Sequence, residues 1–180
     1  RKIDLVEISD LNYDDRIFQP MKTGTAIDYM FSSEGGIYPA TNYLIIGDPG
    51  IGKSTQTLDI LAQIKKNDPT KKILFISGEM NDIDMYGYVK RFPKFGKVPI
   101  MFMNDYSNCP KQAVEQVLNQ GYDIVLMDSW AEVTSMVKDQ MGWARNKVES
   151  WLLELLEKNN KANNKAKKNT AFICIQQMTK

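Results

Sequence analysis

The stretch Gly47-Asp48-Pro49-Gly50-Ile51-Gly52-Lys53-Ser54-Thr55 decides the fold of this chain. It satisfies the phosphate-loop template G-x-x-x-x-G-K-[ST]. The apolar run 43–46 precedes it, and the segment that follows places Leu58, Leu61 and Ile64 at helical spacing. This order predicts a strand, a phosphate-binding loop and a helix.

Each residue type in residues 47–55 has a chemical reason to be there. Glycines at 47, 50 and 52 let the backbone turn tightly and bring its N–H groups close to a polyphosphate, while Pro49 stiffens the loop. A helix that starts near Lys53 directs its unpaired N–H groups at the same phosphates. Lys53 would reach the β- and γ-phosphates, and the Ser54 hydroxyl would bind Mg²⁺. We therefore expect the stretch to bind a nucleoside triphosphate, with ATP as the default, and Mg²⁺.

Composition narrows the class of protein. The chain has 180 residues, 43% of them hydrophobic, which is enough for the core of one α/β domain. Its net charge of +1 means that any nucleic-acid site must be a local patch. Cys109 and Cys174 are far apart and the chain has no histidine, which disfavours a zinc site or a disulfide scaffold and fits a reducing cytoplasm. The apolar runs are strand-sized, so we expect no membrane span and no signal peptide.

Apolar runs and helical patterns alternate along the chain. Strands are predicted at 43–46, 73–76, 98–103, 122–127 and 171–175, with Pro99 placing the third of them toward an edge. Helices are predicted after the phosphate loop, at 83–92, from Pro110 onward, and around Val148 and Leu152. The alternation predicts an α/β fold with a mainly parallel twisted sheet and helices on both faces.

Other segments carry weaker patterns. We expect residues 1–22 to be an N-terminal arm or linker, or an initial strand, and residues 23–180 to be the core, cut short at its C-terminus. Residues 131–142 read as a loop or frayed turn. The polar, basic run 158–169 is predicted to be a flexible surface loop, with contact to a phosphate backbone as the alternative.

Two acidic residues follow predicted strands. Glu79 stands where open α/β sheets bind ligands, so it could orient or deprotonate an attacking water; it could equally be a charge favoured by the next helix N-terminus. Asp128 ends the strand at 122–127 and could hold the hydration shell of Mg²⁺ or cap a helix. Together with the phosphate loop, the metal role of Asp128 is favoured.

The arrangement resembles the core of RecA-superfamily ATPases, and most closely that of the bacterial RadA/Sms group. The resemblance depends on residues 47–55, on Ser77-Gly78-Glu79 with Arg91-Phe92, on Asp128-Ser129, and on residues 176–180. Upstream, Thr23-Gly24, Asp28 and Gly35-Gly36 are similar to the lead-in of that family. The resemblance implies a RecA-like P-loop NTPase core over nearly the whole chain.

Residue roles also follow from the resemblance. It implies that Glu79 is the catalytic carboxylate, with Lys53 and with Gln177 as the γ-phosphate sensor, and that Ser54 and Asp128 bind Mg²⁺. Tyr86 or Tyr88 would lie against the adenine, although a packed surface tyrosine is the plain alternative. The segment 133–142 corresponds to a DNA-contacting loop of the family.

The sequence departs from RadA in two places. Gln176-Gln177 replaces a glycine–histidine pair, which is closer to RecA itself and to DnaB-type helicases, and the zinc-binding cysteine motif is absent. We expect a RadA-like DNA repair or recombination ATPase that moves on single-stranded or branched DNA. Such a motor would be a homo-oligomer, a hexameric ring or a filament, with an arginine or lysine finger from a neighbour. The alternatives are a DnaB-type replicative helicase and a regulatory ATPase of the clock-protein type that acts on protein partners.

Overall fold

The computed structural model describes residues 1–47 and 51–177, with side chains at 1–47 and 55–176. Strands and helices alternate along them as the sequence pattern predicts, except that two helices stand between the fourth and fifth strands. In chain order they are β1 (Asn42–Gly47), α1 (Ile51–Asn67), β2 (Ile73–Ser77), α2 (Asp82–Arg91), β3 (Ile100–Phe102), α3 (Pro110–Asn119), β4 (Ile124–Asp128), α4 (Trp130–Met141), α5 (Arg145–Asn160) and β5 (Ala171–Gln177).

The five strands form one parallel sheet in the order β1-β5-β4-β2-β3. The last strand of the chain therefore lies between the first strand and β4. Its register pairs Gln177 with Gly47, while β4 pairs Asp128 with Ser77 of β2. Since all strands run the same way, their carboxyl ends share one edge of the sheet.

Helices cover both faces of the sheet, which confirms the predicted α/β class. On one face, α1 and α2 pack on alternate strand residues such as Phe75, Leu126 and Ile173. On the other, α3, α4 and α5 pack on the intervening residues, among them Ile76 and Phe172. Strand side chains that are apolar on both faces are expected for a sheet buried between two helical layers.

The strand β3 lies at an edge of the sheet, as Pro99 predicts. Pro99 has no N–H to donate, but its carbonyl accepts a hydrogen bond of 2.9 Å from the N–H of Phe75. Pairing with β2 starts only at Ile100, so β3 is shorter than the predicted 98–103 run.

The prediction of a loop or frayed turn at 131–142 is wrong, because this segment is the helix α4. Ser129 caps its N-terminus by accepting a hydrogen bond from the N–H of Glu132, and Gly142 ends it in the left-handed conformation with φ +66°. Val133 and Val137 are fully buried one turn apart, so two valines on one face suffice to fix an otherwise polar helix.

The polar run 158–169 is also different from the predicted flexible surface loop. Its first residues continue α5, and Asn164 is 4% exposed among hydrogen-bonding partners. The amide nitrogen of Asn164 donates to Asn159 Oδ1 at 3.1 Å and to the Lys168 carbonyl at 2.9 Å. The segment is a packed connection in which asparagine side chains replace a regular backbone ladder.

The motif residues upstream of β1 build a tight turn. Both carboxylate oxygens of Asp28 are used: Oδ1 accepts from the N–H and hydroxyl of Thr23 at 2.8 and 2.6 Å, and Oδ2 from the N–H of Gly24 at 3.0 Å. Gly36, with φ +111°, has no room for a Cβ, which would lie 2.8 Å from the Met21 carbonyl. These residues are therefore explained by local structure.

Residues 1–20 contain short 3-10 helices, Ile8–Asp10 and Asp15–Phe18, and no strand. Apolar side chains in this arm are exposed, namely Ile3, Leu5, Val6, Ile8, Leu11, Tyr13 and Phe18. The expectation of an initial strand is wrong, and the division into an arm and a core stays a prediction. Nowhere in the described chain is a helix both long and apolar enough to cross a membrane.

Candidate nucleotide site

The predicted site residues come from strands whose carboxyl ends lie side by side. Gly47 and Gln177 face each other at the ends of β1 and β5, and Asp128 pairs with Ile175 of β5 on the other side. The end of β2 follows, since Ser77 pairs with Asp128. Because β5 separates β1 from β4, Gly47, Gln177, Asp128 and the end of β2 that leads into Glu79 follow one another along a single edge.

The phosphate loop lies partly outside the described residues. Gly47 ends β1, whereas Asp48, Pro49 and Gly50 are not described. The helix α1 begins at Ile51 and contains Lys53 and Ser54. The side chains of Lys53, Ser54 and Gln177 lie outside the described part of the chain. The strand before the loop and the helix after it are confirmed. The roles of Lys53, Ser54 and Gln177 stay predictions.

Thr55 is the first residue of α1 whose side chain is described, and it is tied to α2. The hydroxyl of Tyr88 lies 2.6 Å from Thr55 Oγ1. Tyr88 is 5% exposed and packs against Phe92 and Phe95. Tyr86 lies on the surface, with the Lys90 ammonium 4.7 Å from its ring centroid. Contact of either tyrosine with adenine stays a prediction, and only Tyr86 presents an open ring.

Glu79 is exposed just beyond the end of β2. The turn that carries it is fixed at two points: the N–H of Gly78 donates to the Asp128 carbonyl at 2.8 Å, and the N–H of Met80 donates to Ser77 Oγ at 3.2 Å. The helix α2 is capped by Asn81 and Asp84, which form a capping box. Glu79 is therefore not needed as the N-terminal charge of α2, and this favours the catalytic interpretation.

Sequence reasoning missed Glu132, in the first turn of α4. Its Oε1 accepts a hydrogen bond of 3.0 Å from the Ser129 hydroxyl, and its side chain packs on Gly78, the residue before Glu79. Burial raises the pKa of Glu132 to about 8, helped by the hydrogen bond to Glu79 and by the negative charges of Glu79 and Asp128. The capping pattern Ser129-x-x-Glu132 directly after Asp128 was the signal that could have found both α4 and this residue.

The donors at this edge suit a nucleotide with Mg²⁺. In nucleotide sites Mg²⁺ is usually held by one or two protein groups together with phosphate oxygens. Asp128 is half-buried at a strand end, and Ser54 lies in the first turn of α1. Among the described side chains there is no group of three or more His, Cys, Asp or Glu residues that could hold a metal. Ser54 and Asp128 remain the predicted Mg²⁺ ligands.

Bacterial proteins named DNA repair protein RadA share sequence with parts of this chain. The DNA repair protein RadA of Listeria monocytogenes is 51% identical over 45 residues, which is 25% of this chain and 9% of that protein. RadA of Campylobacter jejuni is 30% identical over 95 residues, or 53% of this chain and 20% of that protein. The matches thus span a fifth or less of the length of these relatives. No family model matches the chain.

Solved structures share the fold. A KaiC-like protein from Pyrococcus horikoshii superposes with a TM-score of 0.54 at 17% identity, over 89% of this chain and 71% of that one. The flagellar accessory protein FlaH from Methanocaldococcus jannaschii superposes with a TM-score of 0.52 at 11% identity, over 88% and 71%. The fold is that of the RecA-like P-loop ATPases, and the local sequence likeness is to RadA.

Proposed function

We propose that this chain, a RecA-like ATPase core similar in sequence to RadA, hydrolyses ATP with Mg²⁺ and couples hydrolysis to binding and movement on single-stranded or branched DNA. The observation that carries the ATPase proposal is the strand order. Because β5 lies between β1 and β4, Gly47, Gln177, Asp128 and the end of β2 before Glu79 lie along one edge.

The residues divide the chemistry among themselves. Lys53 and the first turn of α1 hold phosphate charge, while Ser54 and Asp128 hold Mg²⁺. Glu79, exposed beyond β2, orients a water and accepts its proton. Gln177, paired in register with Gly47, lies at the strand end next to the phosphate loop and senses the γ-phosphate. Mg²⁺ held by Ser54 and Asp128 would supply positive charge against the transferring phosphoryl group.

A groove that carries two cationic side chains supports the DNA part of the proposal. It lies between α4 and α5, has a volume of about 250 Å³, and is lined in part by Lys138 and by Arg145, which is ion-paired with Glu149 at 3.3 Å. Trp143, in the turn between these helices, has the ammonium groups of Lys147 and Lys111 at 4.4 and 5.8 Å from its ring. An aromatic ring among cations is the surface on which single-stranded bases stack. The likeness to two RadA proteins supports the same partner.

Assembly into a homo-oligomer, a hexameric ring or a filament, belongs to the same proposal. Glu79 and the phosphate-loop end of the sheet provide the nucleotide and the water positions from one subunit. A neighbouring subunit would add the arginine or lysine finger that neutralises transition-state charge. The exposed apolar arm at residues 1–18 offers surface for packing on such a neighbour.

A second candidate is a regulatory RecA-fold ATPase that acts on protein partners. Two solved structures with this fold are a KaiC-like protein and a flagellar accessory protein, and neither is described by its name as acting on DNA. The net charge of +1 gives the chain no overall attraction for nucleic acid. All three candidates, the RadA-like motor, the DnaB-type helicase and the regulatory ATPase, would use the same ATPase site. They differ in what the ATPase acts on: branched or single-stranded DNA, a replication fork, or a protein.

The deciding experiment measures ATP hydrolysis by the chain with and without single-stranded DNA, with Glu79→Gln as the matched variant. We expect DNA to stimulate hydrolysis and the variant to lose it while still binding ATP, since glutamine keeps the shape of the side chain without its basicity.

A rate of ATP hydrolysis that is the same with and without DNA would favour the regulatory ATPase. Stimulated hydrolysis followed by unwinding of forked but not branched substrates would favour the DnaB-type helicase. A Glu79→Gln variant as active as the parent would remove Glu79 from the mechanism.

A further inference from the structure

We propose that Glu132 is a positioning residue that holds Glu79 through a direct carboxyl-to-carboxylate hydrogen bond. Glu132 touches neither nucleotide nor metal in this scheme; it acts through Glu79. The inference rests on the proposed ATPase function for its consequence, and on the packing of Glu132 against Gly78, the residue before Glu79, for its geometry.

The direction of the Glu132 side chain differs from that of an ordinary helix cap. In a capping box, the acidic residue at the third helical position turns back to the N–H of the capping residue. Here the carboxylate instead accepts from the Ser129 hydroxyl at 3.0 Å, and its Oε2 would lie 2.8 Å from a Cβ on Gly78, so the side chain extends toward the end of β2. The side chain thus bridges the ends of β4 and β2.

Gly78 makes room for this bridge. A Cβ at position 78 would lie 2.8 Å from Glu132 Oε2 and 2.9 Å from Glu132 Cβ. The backbone of Gly78 is itself fixed, because its N–H donates to the Asp128 carbonyl at 2.8 Å. Glu132 therefore packs onto the glycine immediately before Glu79, and the glycine in Ser77-Gly78-Glu79 is explained by this contact.

The chemistry assigns a role to each carboxyl group. Two carboxyl groups can share a hydrogen bond only when one of them carries a proton. Glu132 is half-buried and Glu79 is exposed, so the proton resides on Glu132, where charge is less well solvated. Glu132 then donates to one oxygen of Glu79, which leaves the second oxygen of Glu79 free to orient a water.

The kinetic test compares Glu132→Ala with Glu132→Gln. The amide of glutamine can donate to Glu79 and accept from Ser129, whereas alanine does neither. We expect Glu132→Ala to lower kcat for ATP hydrolysis about tenfold or more, with KM little changed, and Glu132→Gln to restore most of kcat. Glu154→Ala, at an exposed position of α5, is the control and should match the parent. Equal losses in the alanine and glutamine variants, or no loss in either, would overturn the proposal.

A second measurement, by NMR and in the absence of ATP, tests the contact between Glu132 and Glu79. The side-chain carboxyl ¹³C resonance of Glu132 should move in the Glu79→Gln variant, while that of Glu154 stays in place. An unmoved Glu132 resonance would overturn the inference even if hydrolysis is found. A moved resonance in a parent chain that hydrolyses no ATP would instead support the contact and count against the proposed function.

Discussion

The hydroxyl of Tyr88 lies 2.6 Å from Oγ1 of Thr55, which joins α2 to the first turn of α1. Thr55 is the last residue of the phosphate-loop motif, so the hydrogen bond anchors the helix end that is proposed to face the phosphates. Tyr88→Phe keeps the ring contacts with Phe92 and Phe95 and removes only the hydroxyl. We expect a loss of about 1 kcal/mol in the free energy of unfolding and a several-fold weaker affinity for ATP.

Chemical denaturation and ATP titration measure these two effects. Tyr29→Phe removes the hydroxyl of an exposed tyrosine upstream of β1, outside the candidate site, and should change neither quantity. Unchanged ATP affinity in Tyr88→Phe would mean that the α2 contact does not support the phosphate loop.

Lys53→Ala tests the phosphate site itself. Removing an ammonium group that pairs with the β- and γ-phosphates should weaken ATP binding by about 2 kcal/mol or more, roughly thirtyfold, with little effect on stability. Equilibrium binding of a labelled ATP analogue measures it, with Lys66→Ala at the other end of α1 as the matched control. A Lys53→Ala chain that binds ATP as tightly as the parent would contradict the site assignment.

Gly78→Ala tests the packing of Glu132 on the β2 turn. The added methyl group would lie 2.8 Å from Glu132 Oε2, so the side chain of Glu132 must move away. We expect kcat to fall about tenfold, although both glutamates are retained. Gly87→Ala, where an added Cβ meets nothing within 4 Å, is the control and should leave kcat unchanged.

The raised pKa of Glu132 predicts a pH dependence of stability. From its ordinary value near 4.5 this pKa rises to about 8 in the folded chain, mainly because of burial and then because of the hydrogen bond to Glu79, with the Asp128 charge adding to it. Between those pH values the folded state holds a proton that the unfolded state has released, so the stability that Glu132 contributes is fully present below pH 4.5 and is lost as the pH rises through 8.

Denaturation between pH 5 and pH 8 should show this loss as about 1 kcal/mol, because partial exposure screens the effect. Glu132→Gln does not titrate, so the difference between the parent and this variant isolates the contribution of Glu132. A difference that stays constant across the range would contradict the assignment of the proton.

Asn164→Ala tests the packed connection before β5. Asn164 is buried, donates to Asn159 and the Lys168 carbonyl, and accepts from the Lys168 N–H at 3.0 Å. Losing these partners leaves buried polar groups unpaired, which should cost about 2 kcal/mol of unfolding free energy. Asn163→Ala, at an exposed position next to it, should cost little. Equal effects of the two substitutions would mean that the segment is loosely packed.

Much of the candidate site could be predicted from the sequence because its residues are local signals. A phosphate-loop motif between an apolar run and a helical pattern predicts β1 and α1, and acids at the ends of apolar runs predict Glu79 and Asp128 at one sheet edge. The sequence did not predict the position of Tyr88, because its spacing in α2 is the same whether the ring faces the core or a ligand.

The segment 130–141 shows where pattern reasoning failed. Its polar residues outnumber the buried pair Val133 and Val137, so hydrophobic periodicity was too weak to predict a helix. The two caps, Ser129 and Gly142, carried the information instead. Likewise, a run rich in asparagine and lysine at 158–169 predicts a solvated loop, whereas Asn159 and Asn164 are buried because each has hydrogen-bonding partners within the segment.

The sequence by itself determined the α/β class, the phosphate loop and the acids at the strand ends, because each depends on neighbours a few residues apart. Only the tertiary structure decided that β5 lies between β1 and β4, which puts Gln177 beside Gly47. It alone brought Glu132 from the end of β4 against Gly78, beside Glu79, and the hydroxyl of Tyr88 in α2 to Thr55 in α1. These contacts join residues distant in sequence, and the packing of helices on a shared sheet is what fixes them.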